Sequence, residues 1–240
     1  MADSLPLTGK RIWITGSGRG IGRAAALKLA AKGAAVIVSA RTEKEINAVA
    51  DAIGKSGGQA LAVRCDVSDK EQVHALVHKV REQLGSVDVL INNAGIGIFK
   101  KVTELAEDEW NAMMDTNLKA AFLCAQAVLP DMMEKNSGHI INVISVAGKQ
   151  PYYNCSGYCA SKYGLLGFTD VLRLEVRKYG IHVTAFLPGA TDTAIWGDAN
   201  VDRSRMMTPE QVADNLVNIC CTDRNSMVEE IVLRPVGGDL

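Results

Sequence analysis

No charge of one sign dominates this chain: 26 lysines and arginines face 27 aspartates and glutamates, a formal net charge of -1. Without a basic surplus, neither nucleic acid nor an anionic membrane surface is an expected partner. No apolar run approaches the roughly 18 residues that a membrane span needs. The opening MADSLPLTGK also lacks the basic-then-apolar order of a secretory leader, so the cytoplasm is the expected compartment. The six cysteines are Cys65, Cys124, Cys155, Cys159, Cys220 and Cys221. They form no zinc-type CxxC pairs, and no histidine or carboxylate cluster accompanies them, so reduced thiols and no metal are expected. Cys155 and Cys159 stand four residues apart; small packing residues are the main reading and a redox pair the alternative.

Internal repeats, low-complexity segments and a Pro/Gly-rich linker are missing too. One domain over residues 1–240 is the economical organisation, large enough to bury about 70–75% of its extended-chain surface. What the chain does have is alternation. Short runs rich in Val and Ile read as strands: Arg11–Thr15, Ala35–Ser39, Ala60–Arg64, Val87–Asn92, His139–Ile144, His182–Leu187 and Glu230–Arg234. Between them, Gly20–Lys32, Glu43–Lys55, Lys70–Leu84, Glu107–Lys135, Ser156–Tyr179 and Pro209–Asn218 show the three- and four-residue apolar spacing of helices. Strands apolar on both faces and separated by helices indicate a parallel sheet covered on two sides. The expected fold is α/β: a doubly wound, Rossmann-type sheet of seven parallel strands.

The first strand runs into a turn with Gly16, Gly18, Gly20 and Gly22, interleaved with Ser17, Arg19 and Ile21, and then into a helix. Such a turn brings bare backbone close to a phosphate, and the helix offers it free N–H groups and the positive end of its dipole. Placed at the first strand-to-helix junction, the pattern points to a dinucleotide. A fold selecting NAD(H) usually carries an acid about 20 residues on, gripping the ribose 2′-hydroxyl. Here the second strand ends VIVSART, with no acid before Glu43. Arg41 follows instead, Ser39 and Thr42 can donate hydrogen bonds, and Arg19 lies in the glycine turn. Guanidinium groups bind phosphate through charge-assisted bonds, so NADP(H) is the expected coenzyme. Asp66 and Val67 end the third strand, where a carboxylate can accept from an adenine amino group. Asn93, Ala94 and Gly95 end the fourth, where small residues let a coenzyme lie against the backbone.

Tyr158 and Lys162 lie four residues apart in YCASK, on one face of a helix. There an ammonium can stabilise a phenolate and lower the tyrosine pKa from its reference of about 10 toward neutrality. A phenol tuned in this way hands a proton to a carbonyl oxygen or takes one from an alcohol. By itself the pair is weak, and a half-buried ring beside a surface lysine is its more ordinary reading; the rest of the chain has to reverse that.

Taken together the motifs resemble the short-chain dehydrogenases/reductases. They run in order as TGSGRGIG (Thr15–Gly22), CDV (Cys65–Val67), NNAG (Asn92–Gly95), Asn117 in DTNLKA, Ser145 in INVISVAG, YCASK, and PGATDT (Pro188–Thr193). The resemblance implies Tyr158 as general acid in carbonyl reduction and base in alcohol oxidation, with Lys162 lowering its pKa and bonding the nicotinamide ribose. It implies that Ser145 holds the substrate oxygen and that Asn117 connects Lys162 through water to solvent. Pro188, Gly189, Thr191 and Thr193 would contact the nicotinamide and its carboxamide. By the same resemblance, the apolar helices Asn111–Met133 and Ser156–Tyr179 imply a homodimer or homotetramer.

Substrate choice is expected from a short lid at about 194–207, before a helix begun by Thr208 and Pro209. Phe99, the segment Gln150 to Asn154 with Tyr153 in it, Ile195 and Trp196 are candidate pocket lining; for Phe99 and Trp196, packing in the core or between subunits is an equal alternative. The reading is an NADPH-dependent carbonyl reductase. The surroundings of DEWNAMMDTNL resemble 3-oxoacyl-carrier-protein reductases, whose carrier-linked substrate is the second reading; the short lid and the ending VEEIVLRPVGGDL depart from them. A sensor or scaffold that kept the fold and lost the reaction need not retain Ser145, Tyr158 and Lys162 together, and all three are present.

Overall fold

The Val- and Ile-rich runs fold as strands β1 Arg11–Thr15, β2 Ala35–Ala40, β3 Gln59–Arg64, β4 Val89–Asn92, β5 Gly138–Val143, β6 Ile181–Pro188 and β7 Glu230–Leu233. They are seen in a computed structural model that describes residues 5–197, 201–223 and 225–238. All seven pair in parallel, in the order β3-β2-β1-β4-β5-β6-β7, the doubly wound topology expected. Among the described residues the α-helices are α1 Gly20–Ala31, α2 Glu43–Lys55, α3 Lys70–Leu84, α4 Glu107–Met114, α5 Ala120–Glu134, α6 Ser156–Val176 and α7 Pro209–Cys220.

Both faces of the sheet are covered, which is why its central strands can be continuously apolar. Ile12 and Ile14 of β1 and Val36 and Val38 of β2 pack with α1, α2 and α7. The alternate residues Trp13 and Ile37 pack with α3, α5 and α6. Caps fix where the helices begin. Asp69 accepts from the backbone N–H groups of Glu71 and Gln72 at the start of α3. Thr208 and Gln211 form a reciprocal capping box around Pro209 at the start of α7. No helix among the described residues is long and apolar enough to cross a membrane.

One expectation is corrected. The span Glu107–Lys135 is not a single α-helix: residues Asp115–Lys119 form a π-helical turn between α4 and α5. The cause is Asn117, whose buried amide turns away from the helix to bond a neighbouring loop. Its Oδ1 accepts from Ile96 N at 2.8 Å, and its Nδ2 donates to Ile96 O and Ser161 Oγ, each at 3.0 Å. A helix that must aim one polar side chain sideways accommodates the extra residue as a π-bulge.

The carboxyl ends of β1, β2, β3, β4, β5 and β6 open on one side of the sheet. A cleft of about 1550 Å³ runs along them, where an open α/β sheet binds its ligands.

Candidate active site

The floor of the cleft is made by two strand ends locked together. Gly16 has φ +65°, and a Cβ there would lie 2.9 Å from Ala94 Cα. Only a residue without a side chain lets the first turn press this close to the end of β4. The Asn93 side chain donates to Thr15 O at 2.9 Å and Gly16 O at 3.2 Å, while Thr15 Oγ1 accepts from the N–H groups of Asn93 and Ala94. Gly22 packs underneath, where a Cβ would come within 2.6 Å of Gly16 O and Asn93 Nδ2. These contacts hold the turn in shape, and Gly18, Gly20 and Gly95 line the cleft with bare backbone.

Most of the expected coenzyme residues line the cleft: Gly16, Gly18, Arg19, Gly20, Ile21, Arg41, Thr42, Asp66, Val67, Asn93, Ala94, Gly95, Pro188, Gly189, Thr191 and Thr193. Three do not. Ser17 is buried, donating to Ile14 O at 2.8 Å and accepting from Ser39 N at 2.9 Å. Ser39 is equally buried and accepts from Trp13 Nε1 at 2.8 Å, so it cannot reach a 2′-phosphate. These two hydroxyls tie β1 to β2 rather than face a ligand, and Gly22 serves the turn from below. Two further expected residues stand off the cleft wall. Asn117 lies behind it, and Gln150 bonds Tyr152 Oη and Arg234.

Sequence reading missed several residues of the wall, notably Arg23, Glu45, Thr116 and Asp192, whereas Tyr152 and Arg203 fall within the segments expected to line the pocket and form the lid. Arg23 was findable, since it stands one helical turn after Arg19. Glu45 carried no such signal.

At the other end, Ser145, Tyr158 and Lys162 meet on one wall. Ser145 follows β5, and its Oγ accepts from Ala147 N at 3.1 Å. Its backbone, at φ 155° and ψ 159°, sits where non-glycine residues are scarcely found, at a cost of about 1–3 kcal/mol. Tyr158 lies in the first turn of α6, its ring partly open to the cleft. Lys162, one turn on, is 3% exposed; its Nζ donates to Val143 O at 3.0 Å and lies 5.8 Å from the centre of the Tyr158 ring.

The electrostatics of this pair correct the expectation of a lowered tyrosine pKa. Burial pushes Tyr158 up to about 12; a hydrogen bond with Ser145 opposes this, and the thiols Cys155 and Cys159 add to it. Burial also drives Lys162 down to about 7, so near neutrality its ammonium is only part-charged. In the polypeptide alone, desolvation outweighs the attraction that four-residue spacing suggests. All six cysteines are free thiols, and burial raises Cys155 beside the site to about 11, which leaves little thiolate. Among the described residues no three His, Cys, Asp or Glu side chains gather as a metal site.

Beyond Tyr158 the wall is aromatic. Phe99 meets Tyr158 edge-on at 5.7 Å between centroids and lies at the same distance from Trp196. Trp196 is fixed by donating Nε1 to Thr191 O at 2.9 Å, in a short 3₁₀ turn Ala194–Trp196 shared with Ile195. Tyr152 and Tyr153 stand across the mouth, Tyr153 with 98% of its surface exposed. The lid's second turn, Arg203–Arg205, is tied down by Arg203, which bonds Asp192 at 2.8 Å and Gly197 O. Residues 198–200 of the lid lie outside the described residues.

Comparison with known proteins gives one consistent result. The short chain dehydrogenase family model matches residues 10–204. Sepiapterin reductase of Chlorobaculum tepidum is 35% identical, over 95% of this chain and 96% of its own. A metagenomic short-chain oxidoreductase solved with NADP superposes with a TM-score of 0.85 at 34% identity, covering 96% of this chain and 99% of that one. A gluconate 5-dehydrogenase from Burkholderia cenocepacia, solved with NADP and tartrate, reaches 0.90 at 27% identity, covering 97% and 96%.

Two predictions follow from this geometry. If the Ser145 backbone is strained, Ser145→Gly is more stable than Ser145→Ala by about 1 kcal/mol in chemical denaturation, reversing the usual order of these residues. A glycine variant less stable than the alanine variant refutes the strain. For Lys162, the folded chain releases a proton near pH 7 that the unfolded chain keeps to about 10.5. The unfolded state binds more protons between those values, so this lysine makes stability rise with pH there. Across pH 7 to 8.5, below the ordinary thiol range, wild type without coenzyme should gain stability relative to Lys162→Met. Parallel pH profiles for the two would show that the lysine keeps an ordinary pKa.

Proposed function

This chain belongs to the short-chain dehydrogenase family of NAD(P)-dependent oxidoreductases acting on CH–OH groups, and we propose that it reduces a carbonyl compound with NADPH. The observation that carries this reading is the junction, in one cleft, of a phosphate-shaped glycine turn flanked by Arg19 and Arg41 with Ser145, Tyr158 and Lys162. The bare backbone of Gly18, Gly20 and Gly95 fits a dinucleotide lying along the strand ends, and the guanidinium groups of Arg19 and Arg41 suit a 2′-phosphate. When bound, the coenzyme supplies hydride to the carbonyl carbon.

The protein's own groups do the rest. Ser145 Oγ donates to the carbonyl oxygen and favours the charge that gathers there. Tyr158, its pKa raised, is protonated at neutral pH and gives its proton to that oxygen. A phenol that keeps its proton suits reduction better than oxidation. The phenolate left behind favours the ammonium form of Lys162, held by Val143 O, and the protons that Lys162 and Tyr158 take up come from solvent.

The aromatic wall favours a neutral, apolar or aryl carbonyl. Phe99 and Trp196 offer ring faces and edges beside Tyr158, and Arg203 at this end is already paired with Asp192. The same pairing tells against an anionic or carrier-linked substrate. Self-association also belongs to this reading: Phe122 of α5 meets Phe168 of α6, and Phe122, Tyr163, Val171 and Leu174 are exposed beside them.

The direct test is NADPH oxidation with aryl, aliphatic and carboxylate-bearing ketones, by wild type and by Tyr158→Phe. We expect turnover with aryl ketones and at least a hundredfold loss in the variant, the scale of a general acid. Coenzyme binding without turnover of any ketone would make the protein a sensor, and an unimpaired variant would remove Tyr158 from its role. Sedimentation should give a dimer or tetramer that Leu174→Glu converts toward monomer; a monomeric wild type ends that part of the proposal.

A further inference from the structure

One carboxylate at the glycine turn lines the cleft together with three arginines, and it pairs with none of them. Arg19, Arg23 and Arg41 line this end, all exposed. Glu45, half-buried in the first turn of α2, lines it as well. A Cβ built on Gly18 would lie 2.9 Å from both Glu45 Cβ and Glu45 Oε2, so the carboxylate rests against the glycine turn itself. Among the described residues it joins no ion pair and no side-chain hydrogen bond. The three cations nearby are therefore not its structural partners, and its place on the turn has no purpose in folding that the structure reveals.

That place has a chemical meaning. Strand β2 ends Ser39-Ala40-Arg41, without the acid that would grip a ribose 2′-hydroxyl. The fold returns a carboxylate to the same end of the cleft from the following helix, five residues beyond Ala40. Arginine and glutamate at one subsite pull in opposite directions. Guanidinium groups attract a 2′-phosphate, whereas a carboxylate repels it and accepts from a 2′-hydroxyl. Selectivity is the difference between those effects.

We infer that Glu45 is a second specificity determinant for the coenzyme: it weakens NADPH, strengthens NADH, and so admits both. This rests on the reading that this end of the cleft receives the adenosine ribose. The arginines keep NADPH ahead, and Glu45 narrows its lead. The residue acts on coenzyme choice and not on hydride or proton transfer, so it leaves the pH dependence of the chemical step untouched.

The test is a set of dissociation constants for NADPH and NADH with wild type and Glu45→Gln, measured by calorimetry, with thermal melts confirming that both fold. The glutamine keeps size and hydrogen-bonding capacity but removes the charge. NADPH should bind more tightly and NADH more weakly, raising the ratio of the two constants about tenfold, or ~1.4 kcal/mol. A ratio that changes less than threefold, or two constants that move together, overturns the inference. Should Glu45→Gln fold poorly, Glu45→Lys provides the same reading with a larger expected change. Failure of the underlying coenzyme reading looks different: wild type itself would then bind neither dinucleotide, and both proposals would fall.

Discussion

Desolvation of Lys162 is the constraint on which this active site turns. An ammonium taken out of water on a helix face loses much of its hold on a proton, and a single backbone carbonyl at Val143 restores only part of it. The same burial makes the neighbouring phenol reluctant to ionise. Both groups are thus held near their neutral forms by the protein, and charge on one favours charge on the other. With Nζ 5.8 Å from the ring centre, ionisation of the phenol and charging of Lys162 would favour one another.

That coupling depends on exact placement of α6, and several unrelated contacts supply it. Ser161, between Tyr158 and Lys162 in sequence, accepts from Asn117 Nδ2 and donates to Tyr158 O. Further along, Asn92 of β4 donates to Asn142 of β5, which donates to Thr169 of α6, each at 2.8 Å. A chain of fully paired buried amides fixes helix against sheet more specifically than apolar packing does. The π-helical turn belongs to the same arrangement, because Asn117 at its centre bonds both Ile96 and Ser161.

The architecture was legible because its signals are periodic. Seven β-branched runs separated by amphipathic segments can satisfy both their faces only as a covered parallel sheet. Strand positions came within two residues of those observed, and the site motifs fell at strand ends, where this fold binds ligands. What stayed hidden depends on direction. Ser17 and Ser39 looked like phosphate donors, yet short hydroxyls beside a strand end can turn inward to a carbonyl just as well, and both donate to Ile14 O. The interruption at Asp115–Lys119 leaves no mark in apolar spacing, since its cause is a hydrogen bond to a loop some 20 positions away. The pKa of Tyr158 was misjudged for a related reason: spacing reveals proximity, while desolvation requires knowing how much protein surrounds the pair.

The clasp formed by Gly16, Gly22 and Asn93 bears on how this protein can be recombined. Its two halves are separated by some 70 residues of chain yet touch at van der Waals distance, so a change in one half must be accommodated by the other. A chimera that imports the first βαβ unit from a relative inherits one half of a fitted joint. Crossover points placed after Gly95 carry the joint intact, whereas those between β2 and β4 split it.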